Sequence, residues 1–300
     1  MTERIAGSDL RLFIGIVTHP ASAHPKAQTD EGVARQLQVR LAAQGMDVIF
    51  SMCNENLLAP EMLGFSDREV RESINAELAA EGKWRVYLNS KIWRPRLHLE
   101  LLVRKTYRHL KLSPPWGNKR STKSAGANML RRLANIELAH TSLLQQALDA
   151  DADWALILED DAHVENIEPT AQALGDFLVE QRGGEQPRYI NVSQSFSQRV
   201  LGTKSLGVSI GNWAEGQEIL SMEKPVTNTV CAVLYSKTFI STLLDEFGVI
   251  PLSPVLPIDW KLNVALMNLV AAGKLGEGDC WQVDPAPFIQ GSMHHVAVNK

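Results

Sequence analysis

Near the middle of the chain an apolar run, Trp154-Ala155-Leu156-Ile157-Leu158, ends abruptly in three consecutive acids, Glu159-Asp160-Asp161, followed by Ala162-His163. A short continuous apolar run bounded by polar residues reads as a strand buried on both faces, which points to a sheet covered by helices on either side. The three acids then sit where the carboxyl end of that strand leaves the sheet, the place at which open α/β sheets bind their ligands. Carboxylates crowded on one turn repel each other unless a cation or hydrogen bonds compensate. Oxygen-only ligands of this kind suit Mg2+ or Mn2+. The same acids would also serve to solvate a strand end or to cap the next helix, and residue types alone leave both readings open.

Around this stretch the spacing predicts a strand over 12–18 and a helix over 31–44, carried by Val33, Leu37 and Leu41 and stopped at Gly45. A second strand follows over 46–51, which completes a βαβ unit, the usual opening of a nucleotide-binding sheet. No G-x-G-x-x-G follows the first strand and no G-x-x-x-x-G-K-[ST] occurs, which disfavours dinucleotide-fingerprint and P-loop chemistry. Next come a helix over 67–80, a short strand over 83–89, a basic helix over 97–112 with Leu97, Leu101 and Leu102 on one side, and a loop over 113–120. A long helix over 126–150, with Leu130, Leu133, Ile136, Leu144 and Leu148 as its buried side, leads into the acidic strand.

The net charge of −4 conceals an asymmetry. Residues 83–132 hold fourteen Lys or Arg and one acid, Glu100, a balance of +13 that leaves −17 for the rest of the chain. Such a segment attracts phosphates, anionic lipid head groups or nucleic acid, or is a solvated basic surface. No apolar run is long enough to cross a bilayer, and residues 1–11 lack the apolar core of a secretory signal. Three scattered cysteines, Cys53, Cys231 and Cys280, read as reduced thiols. The expectation is a cytoplasmic protein with peripheral contact through 83–132 to an anionic membrane face, nucleic acid being the weaker partner.

From the long helix onward the residues resemble a family. Ala139-His140-Thr141-Ser142-Leu143, then an apolar strand ending in Leu156-Ile157-Leu158-Glu159-Asp160-Asp161, look like the core of glycosyltransferase family 25, which includes lipooligosaccharide galactosyltransferases and collagen-modifying relatives. The likeness continues through the strand over 230–237, Leu256-Pro257-Ile258-Asp259, and a closing strand and proline-glutamine tail over 281–290. It spans roughly residues 125 to 295 and is specific in the order of elements. The opening strand departs from the family's asparagine-leucine pattern, and the basic segment is no hallmark of it. The likeness therefore implies a metal-dependent glycosyltransferase of the GT-A type before it implies that one family.

What the resemblance implies is concrete. The fold would be α/β and GT-A-like, a Rossmann-type, mainly parallel central sheet flanked by helices, in one domain over 1–300. Residues 1–165 would hold the nucleotide sugar and 166–300 the acceptor. Asp161 would ligate Mn2+ or Mg2+, which neutralises the leaving diphosphate, with Glu159 or Asp160 facing the ribose or metal-bound water. His140 would belong to the donor site, and His294 or His295 would add to the metal, as C-terminal histidines do in many GT-A enzymes. Arg131, Arg132 and Lys123 are candidates for the diphosphate, and Asn191 and Ser193 for the acceptor side. His163 points away if the acidic strand continues. Asp259 is the candidate base that takes the acceptor hydroxyl's proton, although an Asp at this place also serves as a helix N-cap.

The expected activity is transfer of a hexose from a nucleotide sugar, UDP-linked, to a hydroxyl of a glycan or glycolipid with inversion. Two rivals use the same residues. One is another metal-dependent phosphate enzyme, a nucleotidyltransferase or phosphohydrolase, and the other is a non-catalytic module that binds through its basic face.

Overall fold

The computed structural model describes residues 10–18, 27, 29–58, 64–89, 91–112, 119–181, 189–194, 207–227, 229–250, 255–276 and 278–291. Its first strand β1 (Arg11–Val17), helix α1 (Val33–Ala43) and strand β2 (Asp47–Cys53) form the expected βαβ unit, with β1 and β2 parallel. Helices α2 (Asp67–Leu88), α3 (Arg94–Leu112) and α4 (Lys119–Asp149) then follow, with no strand between them among the described residues. The acidic strand β3 (Trp154–Glu159) inserts beside β1 in parallel, Val17 opposite Glu159.

The second half runs β4 (Ala162–Val164), α5 (Ile167–Glu180), β5 (Tyr189–Asn191), β6 (Gly207–Ala214), β7 (Gln217–Met222), β8 (Ala232–Ser236), α6 (Lys237–Val249), α7 (Ile258–Ala271), β9 (Cys280–Asp284) and β10 (Phe288–Gln290). The described strands make an eight-stranded sheet in the order β2-β1-β3-β8-β5-β9-β7-β6, with β10 and β4 as a separate antiparallel pair. The sheet is mixed. Strands β8 and β7 run against the other six, so a run of parallel strands at β2-β1-β3 gives way to mixed pairing beyond β3, where only β5 and β9 are parallel neighbours. This α/β architecture is Rossmann-like in its parallel half.

Alternation along the central strands builds the two faces. Phe13, Ala155, Ile157, Val233 and Tyr235 point to one side, where α4, α6 and α7 supply Leu143, Leu144, Leu243 and Leu266. Leu12, Ile14, Trp154, Leu156, Leu158 and Leu234 point to the other, where α1 and α5 supply Leu37, Leu41, Leu174 and Phe177. Period two on a strand covered on both sides explains why β3 carries no polar residue until Glu159. The pair α2 and α3 forms an outer layer: Val70, Ile74 and Leu78 of α2 pack on Leu130 and Ala134 of α4.

Two expectations need correction. Residues 83–89 are not a strand; they are the last turns of α2, because Trp84 and Leu88, four apart, share one helix face and pack with Val226 and Trp260. The hairpin of β6 and β7 was not foreseen. Its strand β6 is largely exposed and broken by two register shifts, so it lacks clean alternation. Only Glu215-Gly216, with Gly216 at φ 74°, marks its turn.

Candidate active site

The acids sit at the topological switch point of the sheet. From β1 the chain goes outward to β2 on one side, while β3 and the later strands lie on the other, and at such a reversal the loops part to leave a crevice. Cys53, Val17 and Glu159, the carboxyl ends of β2, β1 and β3, lie level with one another along its floor.

Each acid has its own setting. Glu159 is the last residue of β3 and half-buried; its Oε1 lies 3.5 Å from Nε2 of His140, a buried residue of α4. Asp160 turns the chain back toward β1, and its Oδ2 accepts from the hydroxyl of Thr18 at 3.2 Å. Asp161 is half-buried, and its carbonyl accepts the N–H of Gly291 at 2.8 Å. That bond continues the pairing of β4 with β10, so residue 291 is stitched to the acidic turn. Thr18 was missed by sequence reasoning, and only its place directly after the first strand hinted at it.

Asp259, the candidate base, lies on α7. The helix begins at Ile258 with Pro257 as N-cap, so Asp259 lies inside the first turn and is not the cap. Burial pushes its carboxyl up to about 7. The N–H of Trp260 bonds it and works the other way, while the negative charges of Glu159 and then Glu77 raise it further. A carboxylate raised toward neutrality is matched to proton uptake near neutral pH.

There is also a buried ion pair that the sequence did not reveal: Nζ of Lys261, two residues after Asp259, bonds Oε1 of Glu137, three residues before His140, and both side chains are almost wholly enclosed. Burial raises the Glu137 carboxyl and Lys261 opposes that rise. The pair ties α7 to α4 and so fixes the spacing between Asp259 and His140.

A polar network holds the adjoining loop. Asn191 Nδ2 donates to Thr227 Oγ1 at 2.9 Å, and the Ser193 N–H and hydroxyl donate to Asn191 Oδ1 at 2.9 and 2.7 Å. Asn263 of α7 clamps Thr227 by accepting its N–H at 2.8 Å and donating to its carbonyl at 2.6 Å. Asn191 and Ser193 are fully buried, which corrects the expectation that they line the acceptor site. They position Thr227 and, through its hydroxyl, Thr229 ahead of β8. Burial, and next the charge of Glu159, push the Cys231 thiol up to about 12, so it is a packing residue and no nucleophile. Cys53, Cys231 and Cys280 are buried and form no disulfide.

Other candidates are not brought together. Arg131 is half-buried and Arg132 exposed, nine and eight residues before His140 on α4, about 12–14 Å along the axis. Neither forms an ion pair with the acids among the described residues. Asn135, one turn after Arg131, instead anchors the loop after β2: its Oδ1 accepts from Leu57 and its Nδ2 donates to the carbonyl of Glu55. His163 is exposed on β4 opposite Ile289; β3 ends at Glu159, so the acidic strand does not continue to it. His294, His295 and the side chain of Lys123 lie outside the described residues.

Among the described residues no three His, Cys, Asp or Glu side chains converge into a group able to hold a metal. Mg2+ or Mn2+ in a phosphate site takes one or two protein carboxylates and completes its shell with water and substrate oxygens. Consecutive acids on one turn fit that shared arrangement and do not fit a closed protein cage. No protein-family model matches this chain, and no curated protein matches it.

Proposed function

We propose that the chain is a metal-dependent glycosyltransferase of the GT-A type, which moves a hexose from a nucleotide sugar, UDP-linked, to a hydroxyl of a glycan or glycolipid with inversion. The observation that carries this reading is the run of three acids at the carboxyl end of β3, beside the point where the strand order reverses, with Asp259 of α7 close enough to feel the charge of Glu159. An acidic turn suited to a cation and diphosphate, facing a base, is what displacement at an anomeric carbon requires. The resemblance to glycosyltransferase family 25 in the order of elements points the same way.

In this reading Asp161, with Glu159, holds Mn2+ or Mg2+, and the ion supplies neutralisation of charge on the leaving diphosphate. Asp160, held by Thr18, and Glu159, held by His140, keep the donor's ribose in register. Asp259 accepts the proton of the acceptor hydroxyl as its oxygen bonds to the anomeric carbon. The bond from that carbon to the phosphate oxygen breaks, and the nucleoside diphosphate leaves. The pair of Lys261 and Glu137 holds Asp259 in place against α4.

Product analysis tests the reaction class. Incubation with a panel of nucleotide sugars and Mn2+ is expected to release a nucleoside diphosphate, at least about 100-fold more slowly in Asp259→Asn. Release of phosphate or pyrophosphate instead would refute glycosyl transfer and favour a phosphohydrolase or nucleotidyltransferase.

A further inference from the structure

We propose that α3 is a docking helix for an anionic phospholipid surface. This goes beyond the donor site and does not rest on it. Part of the charge of α3 is drawn toward the protein: Arg104 bonds Glu81 and Arg108 bonds Glu77, both buried acids of α2, while Arg85 of α2 bonds Glu100 at 3.0 Å. Leu97 is buried on the same side, and Leu101 packs so closely on α2 that a Cβ at Gly82 would meet its Cδ1 at 3.1 Å. The acids that neutralise Arg104 and Arg108 precede residue 83, so the charge count over 83–132 overstated the outward basic field.

The opposite face is largely apolar and exposed, with Arg96, paired to Glu100 at 3.0 Å, and Thr106 among its apolar residues. Leu99, Leu102, Val103 and Tyr107 are 61%, 51%, 61% and 64% exposed, with Leu110 at 45% and Trp93 at 69% just before the helix. At 3.6 residues per turn Leu99, Leu102, Val103, Tyr107 and Leu110 fall within an arc of about 140°, centred opposite Leu97 and Leu101. This corrects the expected face, which grouped Leu97 and Leu101 with Leu102. Leu97 is the anchor and Leu102 the surface.

The occupant follows from what borders the stripe. Lys91, Arg94 and Lys105 are exposed and form no ion pair among the described residues. Leucines with a Trp and a Tyr, flanked by unneutralised cations, match the boundary between acyl chains and anionic head groups. A second copy docked on this face by a two-fold axis would oppose its own cations. Since α2, which carries α3, packs on α4 and α7, the docked surface lies in the layer covering the helices of His140 and Asp259.

Vesicle flotation of the full chain tests this, with phosphatidylcholine alone and mixed with phosphatidylglycerol at about 0.1 M salt. The protein is expected to float with the anionic vesicles only. The variant Leu99→Gln/Val103→Gln/Leu110→Gln is expected to bind about tenfold more weakly or less, and Arg94→Glu/Lys105→Glu likewise. These exposed substitutions leave the inward contacts intact, so each variant is expected to keep the thermal midpoint of the parent. Failure of the parent to float, or equal flotation of the Gln variant, overturns the proposal. So does a parent dimer that the Gln variant converts to monomer, since a second copy then covers the stripe.

Discussion

The carboxyl of Asp259 gives the site a measurable thermodynamic cost. Its value rises from an ordinary 3.8 to about 7 on folding. A raised Asp is protonated in the native state where the unfolded chain is already ionised. The native state therefore holds more protons between about pH 4 and 7, and stability falls as pH rises through that window. Three units at about 1.36 kcal/mol each amount to roughly 4 kcal/mol, fully lost above pH 7 and absent below pH 4. Water reaching a half-buried carboxylate cuts this to about 2 kcal/mol by a halving we take as the conservative bound. Replacing Asp259 by Asn keeps an acceptor for the Trp260 N–H and removes the ionisation. With unfolding entropy near 2.1 cal/mol/K per residue, roughly 0.6 kcal/mol/K for a chain of this length, the variant is expected to melt about 3–6 °C higher at pH 8. The gain should shrink steadily as pH falls toward 4.5. Scanning calorimetry in chelator, with no nucleotide, measures it directly. A gain that is independent of pH, or a variant less stable at pH 8, would refute the argued setting of Asp259. A residue that destabilises the resting fold yet is needed for turnover is the expected signature of a functional site.

Other outcomes follow from the packing. Glu137→Gln or Lys261→Met alone is expected to cost about 3–5 kcal/mol in urea unfolding, whereas Glu137→Leu combined with Lys261→Met should recover most of it, because the ions are costly to bury and costlier to leave unpaired. Asn263→Ala strips both bonds from the Thr227 backbone and is expected to cost about 2–4 kcal/mol, measured the same way. Leu156→Ala, fully buried at the middle of β3, is expected to cost about 2–5 kcal/mol by the same measurement.

The acidic strand was legible because burial on both faces forces an unbroken apolar run, and nothing else in the chain ends such a run in three acids. The βαβ opening was legible for a similar reason: Val33, Leu37 and Leu41 repeat with the helix period, and the two later leucines reach the core. Asp259 stood out through its place after Pro257-Ile258, but its raised carboxyl depends first on burial and then on Glu159 and Glu77, all of which only the fold supplies. Lys83 to Asn89 deceived because its alternation fits a strand as well as the end of a helix, and Trp84 and Leu88 declare themselves only once Trp260 is packed against them. The pairing of Lys261 with Glu137, and of Asn263 with Thr227, spans distant positions and leaves no local signal. The facing of α3 was misjudged because the acids that draw Arg104 and Arg108 inward belong to another helix.

No helix among the described residues is long and apolar enough to cross a membrane. The central claim concerns the acids at the end of β3. Titration calorimetry of UDP and other nucleoside diphosphates, with and without Mn2+, tests it on the parent chain and on Asp161→Ala. The account predicts that one nucleotide binds only with the metal and that Asp161→Ala abolishes this binding. Metal-independent binding, or binding that survives Asp161→Ala unchanged, would contradict it.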